Sequence, residues 1–324
     1  MNKVLIVALI ILTLISCSNE TQNESQYLIS EIEIIAPASP GGGWDQTARL
    51  IQGVLLGQGL VGNSQVVNIP GAGGTIGLAQ LVANSRNVNM KIMLSGLIMM
   101  GASLSNNSEV TLDDAIPIAR LLGEYEVLVV PTSSPYVNLD SFLNDWRDDP
   151  GSLSVAGGSA GGTDHMLLGL LAIDQGVDPS SINYLAHSGG GESLAAILGN
   201  HVAAGINGYG ELRAFIDSGR LRALAISSPE RIEGIDIPTF IEQGVDIELA
   251  NWRSLIASPN EPNENIIKYR ELAIELNNLE EWRVVLENNN WINLFMIDSE
   301  FDQFLIDETK RVNEVLFLIG LSSE

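Results

Sequence analysis

The chain has 324 residues, enough for about two domains of ordinary size, and its 45% hydrophobic content can supply a sizeable core. Its 16 basic and 40 acidic residues leave a formal net charge of −24. That balance excludes the basic footprint of a nucleic-acid binder and electrostatic docking on anionic lipid, but not an anionic ligand held locally by backbone amides.

The N-terminus reads as an address. Met1-Asn2-Lys3 is a short positive start. Val4 to Ile15 is an apolar run of about 12 residues, too short to span a bilayer and suited to the core of a signal peptide. Leu14-Ile15-Ser16-Cys17 then resembles the lipobox of bacterial lipoproteins, with a small residue before the cysteine at the cleavage point. Cys17 is the only cysteine, so lipid on its sulfur would leave no thiol for a disulfide. Residues 1–17 are expected to be signal peptide and lipobox, and 18–27 a polar tether. The mature protein is expected in the periplasm or cell envelope, held to the membrane through Cys17.

Beyond the tether, strand-like and helix-like patterns alternate. Ile32, Ile34 and Ala36 mark a strand, and Ala48, Leu50, Ile51, Val54 and Leu55 a helix. Val66 to Ile69 is a strand, followed by a helix through Ile76, Leu78, Leu81 and Val82. Ile92 to Leu94, Ile116 to Leu122 and Val127 to Val130 read as three further strands, and Leu139 to Arg147 as a helix. Strands at 153–156, 182–186, 202–206 and 221–226 then alternate with helices at 165–174, 192–198 and 211–218. Ile247 to Ala257 reads as one long strand, and the tail is helical over 266–276, 281–286 and 301–318, with Asp298-Ser299-Glu300 as an acidic helix start. The βα alternation predicts an α/β fold with parallel sheets covered on both faces. With no low-complexity linker, the boundaries fall at strand crossovers, giving residues 28–124 plus 250–324 as one domain and 125–249 as the other. Such a discontinuous arrangement suits hinge closure.

Four strand-to-helix turns carry glycine clusters, at Gly41-Gly42-Gly43, Gly71-Ala72-Gly73-Gly74, Gly157 to Gly162 and Ser188-Gly189-Gly190-Gly191. In an open sheet such turns sit at the carboxyl ends of strands, where ligands bind. A helix start offers free N–H groups and a positive dipole end, and glycine lets a ligand approach the backbone closely. The pattern Gly-Gly-x-Asp recurs at 42–45 and 161–164, so these two loops are expected to face each other across a cleft and hold a carboxylate. Gly42, Gly43, Gly73, Gly161, Gly162, Thr163, Ser159, Ser188 and Gly189 are therefore candidate binding residues. Asp45 and Asp164 either cap their helices or order a water or ligand hydroxyl. Trp44 is a candidate apolar wall or a core residue. His165, at a helix start, is expected to be neutral and to donate. Ser95 ends a strand beside the same cleft, and Asn207 and Tyr209 sit where they could read the distal end of a ligand.

Taken together, Ile35-Ala36-Pro37, Pro40 to Arg49, Pro70 to Gly77, Gly157 to His165 and Leu221-Arg222-Ala223-Leu224-Ala225 resemble the substrate-binding proteins of tripartite tricarboxylate transporters, the Bug receptors. The resemblance runs over nearly the whole mature chain. It implies a two-domain periplasmic-binding-protein fold of the type II-like, Venus-flytrap kind, with the ligand cleft between domains. It also implies two loops, here Gly41–Asp45 and Ser159–His165, that pinch one carboxylate of a small organic acid through backbone groups and ordered waters. The partner would be a permease of a large and a small subunit, and a monomeric receptor is expected. Two departures stand out: Trp44 follows the glycines, and Ser188 to Glu192 stands where a lysine-glycine pair is frequent.

Other chemistries fit poorly. Gly157-Gly158-Ser159-Ala160-Gly161 matches the G-x-S-x-G elbow of α/β-hydrolases. That fold needs a late histidine, and the only histidines are His165, His187 and His201. Gly71 to Gly77 misses the dinucleotide spacing by one residue, with no acid about 20 residues on. Neither a cofactor nor a metal is expected.

Overall fold

The computed structural model describes residues 27–83, 90–187 and 189–322. The first layer is built from β1 (Ile29–Ala36), α1 (Gly43–Gly57), β2 (Val61–Asn68), α2 (Thr75–Ala83), β3 (Met90–Gly96) and α3 (Leu97–Ser105). β4 (Ile116–Pro131) then leads to α4 (Leu139–Asp148), β5 (Val155–Gly157), α5 (Thr163–Asp174), β6 (Tyr184–Ala186), α6 (Gly190–Leu198), β7 (Ala204–Gly208), α7 (Tyr209–Asp217) and β8 (Leu221–Ile226). The chain finishes with β9 (Ala250–Ala257), α8 (Asn263–Asn278), α9 (Glu280–Asn289), β10 (Ile292–Ile297) and α10 (Asp298–Leu318). Helical spacing explains α1: Ala48, Ile51, Val54 and Leu55 recur on the face buried against the sheet.

β4 organises the molecule. Residues 116–125 pair with β9, and part of the same stretch pairs with β10; residues 126–131 pair instead with β7 and β8. The strand order is β2-β1-β3-β9-β4-β7-β5-β6, with β10 and β8 also on β4. The sequence pattern splits this strand into two apolar runs; the structure joins them through Gly123-Glu124-Tyr125-Glu126 into one strand of 16 residues. A central strand shared by two sets of neighbours can carry polar residues where the neighbours change, because a cleft opens there. The expectation of parallel sheets is corrected in part. β1–β2, β1–β3, β5–β6 and β5–β7 are parallel, whereas β9 and β4 run antiparallel to every strand they pair with. The sheets are mixed because the chain crosses out through β4 and returns through β9. Helix α3 and strand β10 have no counterpart in the sequence pattern: α3 (LIMMGASLS) continues the apolar run of β3, and β10 (INLFMI) is a half-buried six-residue segment.

The two crossings are tied together at Ser227. Its buried Oγ accepts from the Glu126 backbone N–H at 2.9 Å and donates to the Leu249 carbonyl at 2.6 Å. The main hydrophobic core runs on past the crossings. Leu316 and Ile319 of the C-terminal segment share one cluster with Leu167, Leu168 and Leu171 of α5, while Val127, Ala156, Ile197, Leu212 and Ile226 form a smaller cluster of their own.

Candidate functional site

The loop before α1 and the loop before α5 line one cleft of about 730 Å³, with Gly41, Gly42, Gly43 and Trp44 on one side and Ser159, Gly162, Thr163 and Asp164 on the other. Gly73 and Gly74, Gly189 and Gly190, and Asn207 and Gly208 bring the remaining glycine turns to the same cavity. The N-termini of α1, α5, α6 and α7 thus converge on one space, and the first N–H groups of each helix have no intrahelical acceptor. Gly41 needs its glycine, since its φ of +85 lies in the left-handed region. Gly73, at φ +62, has the same constraint, and a Cβ there would run into Ala102 of α3.

Among the other expected residues, several turn away from the cleft. Asp45 is buried and consumed by structure: Oδ2 accepts from the Gly41 N–H at 2.8 Å and from Arg49 Nε at 3.0 Å, and Oδ1 accepts from Asn68 at 2.9 Å and pairs with Arg49 at 2.8 Å. The Arg49 hydrogen bond, then those from Gly41 and Asn68, hold its carboxyl down to about 2 against the opposing effect of burial. Ser95 is fully buried, with its hydroxyl 2.6 Å from that of Ser254 on β9. Gly161 directs its carbonyl at Gly101 of α3 instead of the cavity. His165 accepts the Gly161 N–H on Nδ1 at 3.3 Å and stacks on Tyr184 with centroids 4.1 Å apart. Burial lowers its pKa to about 4, so it is neutral near pH 7 with the proton on Nε2. With Nδ1 engaged, that nitrogen is not free to activate Ser159, which does not favour the hydrolase alternative. Tyr209 packs into the smaller core. Ser188 and Cys17 lie outside the described residues.

One polar side chain in the cleft wall lacks a partner: Thr163 Oγ1, on a residue 2% exposed at the start of α5, makes no hydrogen bond. The Glu126 carboxyl, on a residue 1% exposed, shares a hydrogen bond with the Asp164 carboxyl. Trp44 is mostly buried in the main core and shows only an edge to the cavity. Asn207 accepts from Ser193 Oγ at 2.8 Å and reaches toward Glu211.

The chain matches the family model described as "Tripartite tricarboxylate transporter family receptor" over residues 49–321. It belongs to that family. The receptor is 29% identical to Protein BugT of Bordetella pertussis over 248 residues, 74% of each chain. It superposes on a TctC solute-binding protein from Polaromonas with a TM-score of 0.70 and 25% identity, covering 89% of this chain and 98% of that one. A TM-score of 0.79 at 19% identity, over 90% of this chain and 97% of the other, relates its fold to R. palustris Rpa4515, solved with adipate. The fold is therefore the two-domain α/β architecture of periplasmic solute-binding proteins, and the protein is a solute receptor of the tripartite tricarboxylate transporter type.

The glycine pattern did not reveal the receptor's acidic wall. Glu124 and Glu126 lie two residues apart on β4, which puts both on one face, and both line the cleft with Asp164, Glu211 and Asn251. Arg253 is the only cationic side chain in this lining. It is already engaged, pairing with Glu124, donating to Thr47 Oγ1 at 2.7 Å and to the Gly43 carbonyl at 3.3 Å, and lying over the Trp291 ring at 5.1 Å. Burial pushes the Glu126 carboxyl well up, and the nearby Asp164, Glu124 and Glu211 charges push it further. Asp164 is raised to about 7, chiefly by desolvation, although the Gly158 N–H at 2.6 Å opposes the shift. Glu211 is raised by desolvation and then by Glu124, although its surface stays open to water. The sequence signal was present: a Glu-x-Glu pair interrupts an otherwise apolar strand.

Proposed function

We propose that this receptor captures a small organic carboxylate in the cleft and hands it, unaltered, to the large and small membrane subunits of a tripartite tricarboxylate-type transporter. The convergence of the α1 and α5 N-termini on one cavity carries the proposal. Each such terminus stabilises an anion by about 0.3–1 kcal/mol when exposed and up to about 2 kcal/mol when partly buried. The unpartnered Thr163 hydroxyl adds a donor at the same place, and the adipate on a neighbour of the same fold is a ligand of this class. Residues 28–124 plus 250–324 and 125–249 act as two lobes hinged at the crossings around Ser227. The ligand favours the closed arrangement because only there do both loops reach it.

Among the described residues no helix is long and apolar enough to cross a membrane. The receptor is held at the envelope as a monomer by lipid on Cys17; Cys17→Ser should move it from the membrane to the soluble envelope fraction, and an unchanged distribution would contradict the anchor. Binding is tested by thermal shift and calorimetry against a panel of organic acids. Gly43→Val, which sets a side chain against the Arg253 guanidinium, should weaken the best ligand at least about tenfold with circular dichroism unchanged. Equal affinity in the variant would remove the α1 loop from the site.

A further inference from the structure

The strands that cross between the halves have a second face. Glu124, Glu126, Asn251 and Arg253 line the cleft, whereas Tyr125, Ala250 and Trp252, the residues that alternate with them, line a separate cavity of about 350 Å³ behind the crossings. Leu294 of β10 and Phe304 of α10 close it, and Glu248 stands exposed at its edge. Arg120 reaches this cavity through an irregularity in the strand. The pairing of β4 with β9 shifts register between Arg120 and Leu122, so Arg120 leaves the parity of Glu124 and joins Tyr125.

Arg120 is the informative member. It is half-buried, its Nε donates to the Leu294 carbonyl at 2.8 Å, and its guanidinium carbon lies 4.1 Å from the Phe304 ring centroid. Among the described residues neither of its terminal nitrogens has a hydrogen-bond or ion-pair partner. Glu308 favours its charge from nearby. That carboxylate is itself engaged, accepting from Trp252 Nε1 at 3.0 Å and pairing with Arg311 at 2.7 Å. A chain with 40 acidic residues thus supplies no carboxylate to this arginine. The Tyr125 hydroxyl also has no partner among the described residues, and burial raises its pKa, which keeps it a donor. A guanidinium with a free planar edge is the complement of a carboxylate. The cavity falls within the range of about 300–1,000 Å³ that small-molecule pockets occupy.

We propose that the cavity behind the crossings is a second binding site, separate from the cleft, for a small carboxylate with an apolar body. The carboxylate lies on Arg120 and the Tyr125 hydroxyl, and the body packs on Tyr125, Leu294 and Phe304. Tyr125 and Glu248 belong to one proposed lobe, and Arg120 and Phe304 to the other. An occupant therefore touches both lobes, and its affinity is coupled to the opening of the cleft. This coupling, unlike the site, rests on the proposed hinge.

The test is calorimetry with 3-phenylpropionate, and with 3-phenylpropan-1-ol as the same body without the acid, in the Gly43→Val protein, where the cleft is impaired. One equivalent of the acid should bind, at least about tenfold tighter than the alcohol. Adding Arg120→Gln should weaken the acid at least about tenfold and abolish its advantage over the alcohol. Ala250→Leu, which fills the cavity without touching the arginine, should also block the acid and guards against an Arg120 variant that fails to fold. In the wild-type cleft, the ligand found by the organic-acid panel should keep its affinity in both variants, which separates this site from the first. No binding of 3-phenylpropionate to the Gly43→Val protein, equal binding of acid and alcohol, or full affinity in both cavity variants would overturn the inference and leave the carboxylate cleft standing. Saturating the wild-type cleft should shift the affinity for 3-phenylpropionate at least about threefold from its value in Gly43→Val; an unchanged value would overturn the coupling.

Discussion

Asp45 shows how a residue inside a binding motif can serve the loop and not the ligand. It follows the glycines of the α1 loop, yet its two oxygens are consumed by Gly41, Arg49 and Asn68. Its role is to hold Gly41 in its left-handed turn so that the N-terminus of α1 faces the cleft. Asp45→Asn should cost about 1 kcal/mol of stability at neutral pH, the scale of a lost charge-assisted hydrogen bond next to a half-exposed arginine. The sign of its pH dependence follows from a folded pKa of about 2, below the usual 3.8. The contribution is complete above about pH 4 and disappears as pH falls toward 2. Denaturant titrations of wild type and variant should therefore differ at pH 7 and converge near pH 2; a constant difference would mean that the carboxylate charge is not what stabilises the loop.

At the scale of elements, the site consists of helix ends brought to one strand. α1 and α5 come from opposite sides of the β4 crossing, and α6 and α7 add two further N-termini. Each helix begins at or just after a glycine with no side-chain cap: Gly42 before α1, Gly162 before α5, Gly189 before α6 and Gly208 before α7. α4 is the contrast, with Asn138 as its side-chain cap, although α3, α8, α9 and α10, away from these four, also start without one. An uncapped helix start leaves its N–H groups to a ligand, whereas Asn138 uses its own side chain on the Ser141 N–H. β4 supplies the opposite wall because its two-residue period sends Glu124 and Glu126 to the same face as the cavity.

At the scale of the whole molecule, α3 meets the loop before α5. A Cβ on Gly101 would strike the carbonyl of Gly161. Closure on a ligand should compact the protein, read as a smaller radius of gyration in solution scattering when a tight ligand is added. Gly101→Val should hold the two loops apart, reducing both the compaction and the affinity. Full compaction in that variant would show that closure does not use this contact.

The receptor's family and its glycine loops are legible in the sequence because they are local: a strand, a Gly-Gly-x-Asp turn and a helix start occupy consecutive residues, and short-range backbone preferences decide them. The start of α10 at Asp298 is legible for the same reason. What a side chain faces depends on partners far along the chain, and this only the tertiary structure decided. Ser95 is sealed against Ser254, 159 residues away. Gly41 and Asn68 turn Asp45 inward. The apolar runs on either side of Glu124 and Glu126 form one strand because β9 and β7 take over from each other along it. The acidic wall exists only because that handover opens a cleft where two buried carboxyl groups face a cavity instead of a neighbouring strand.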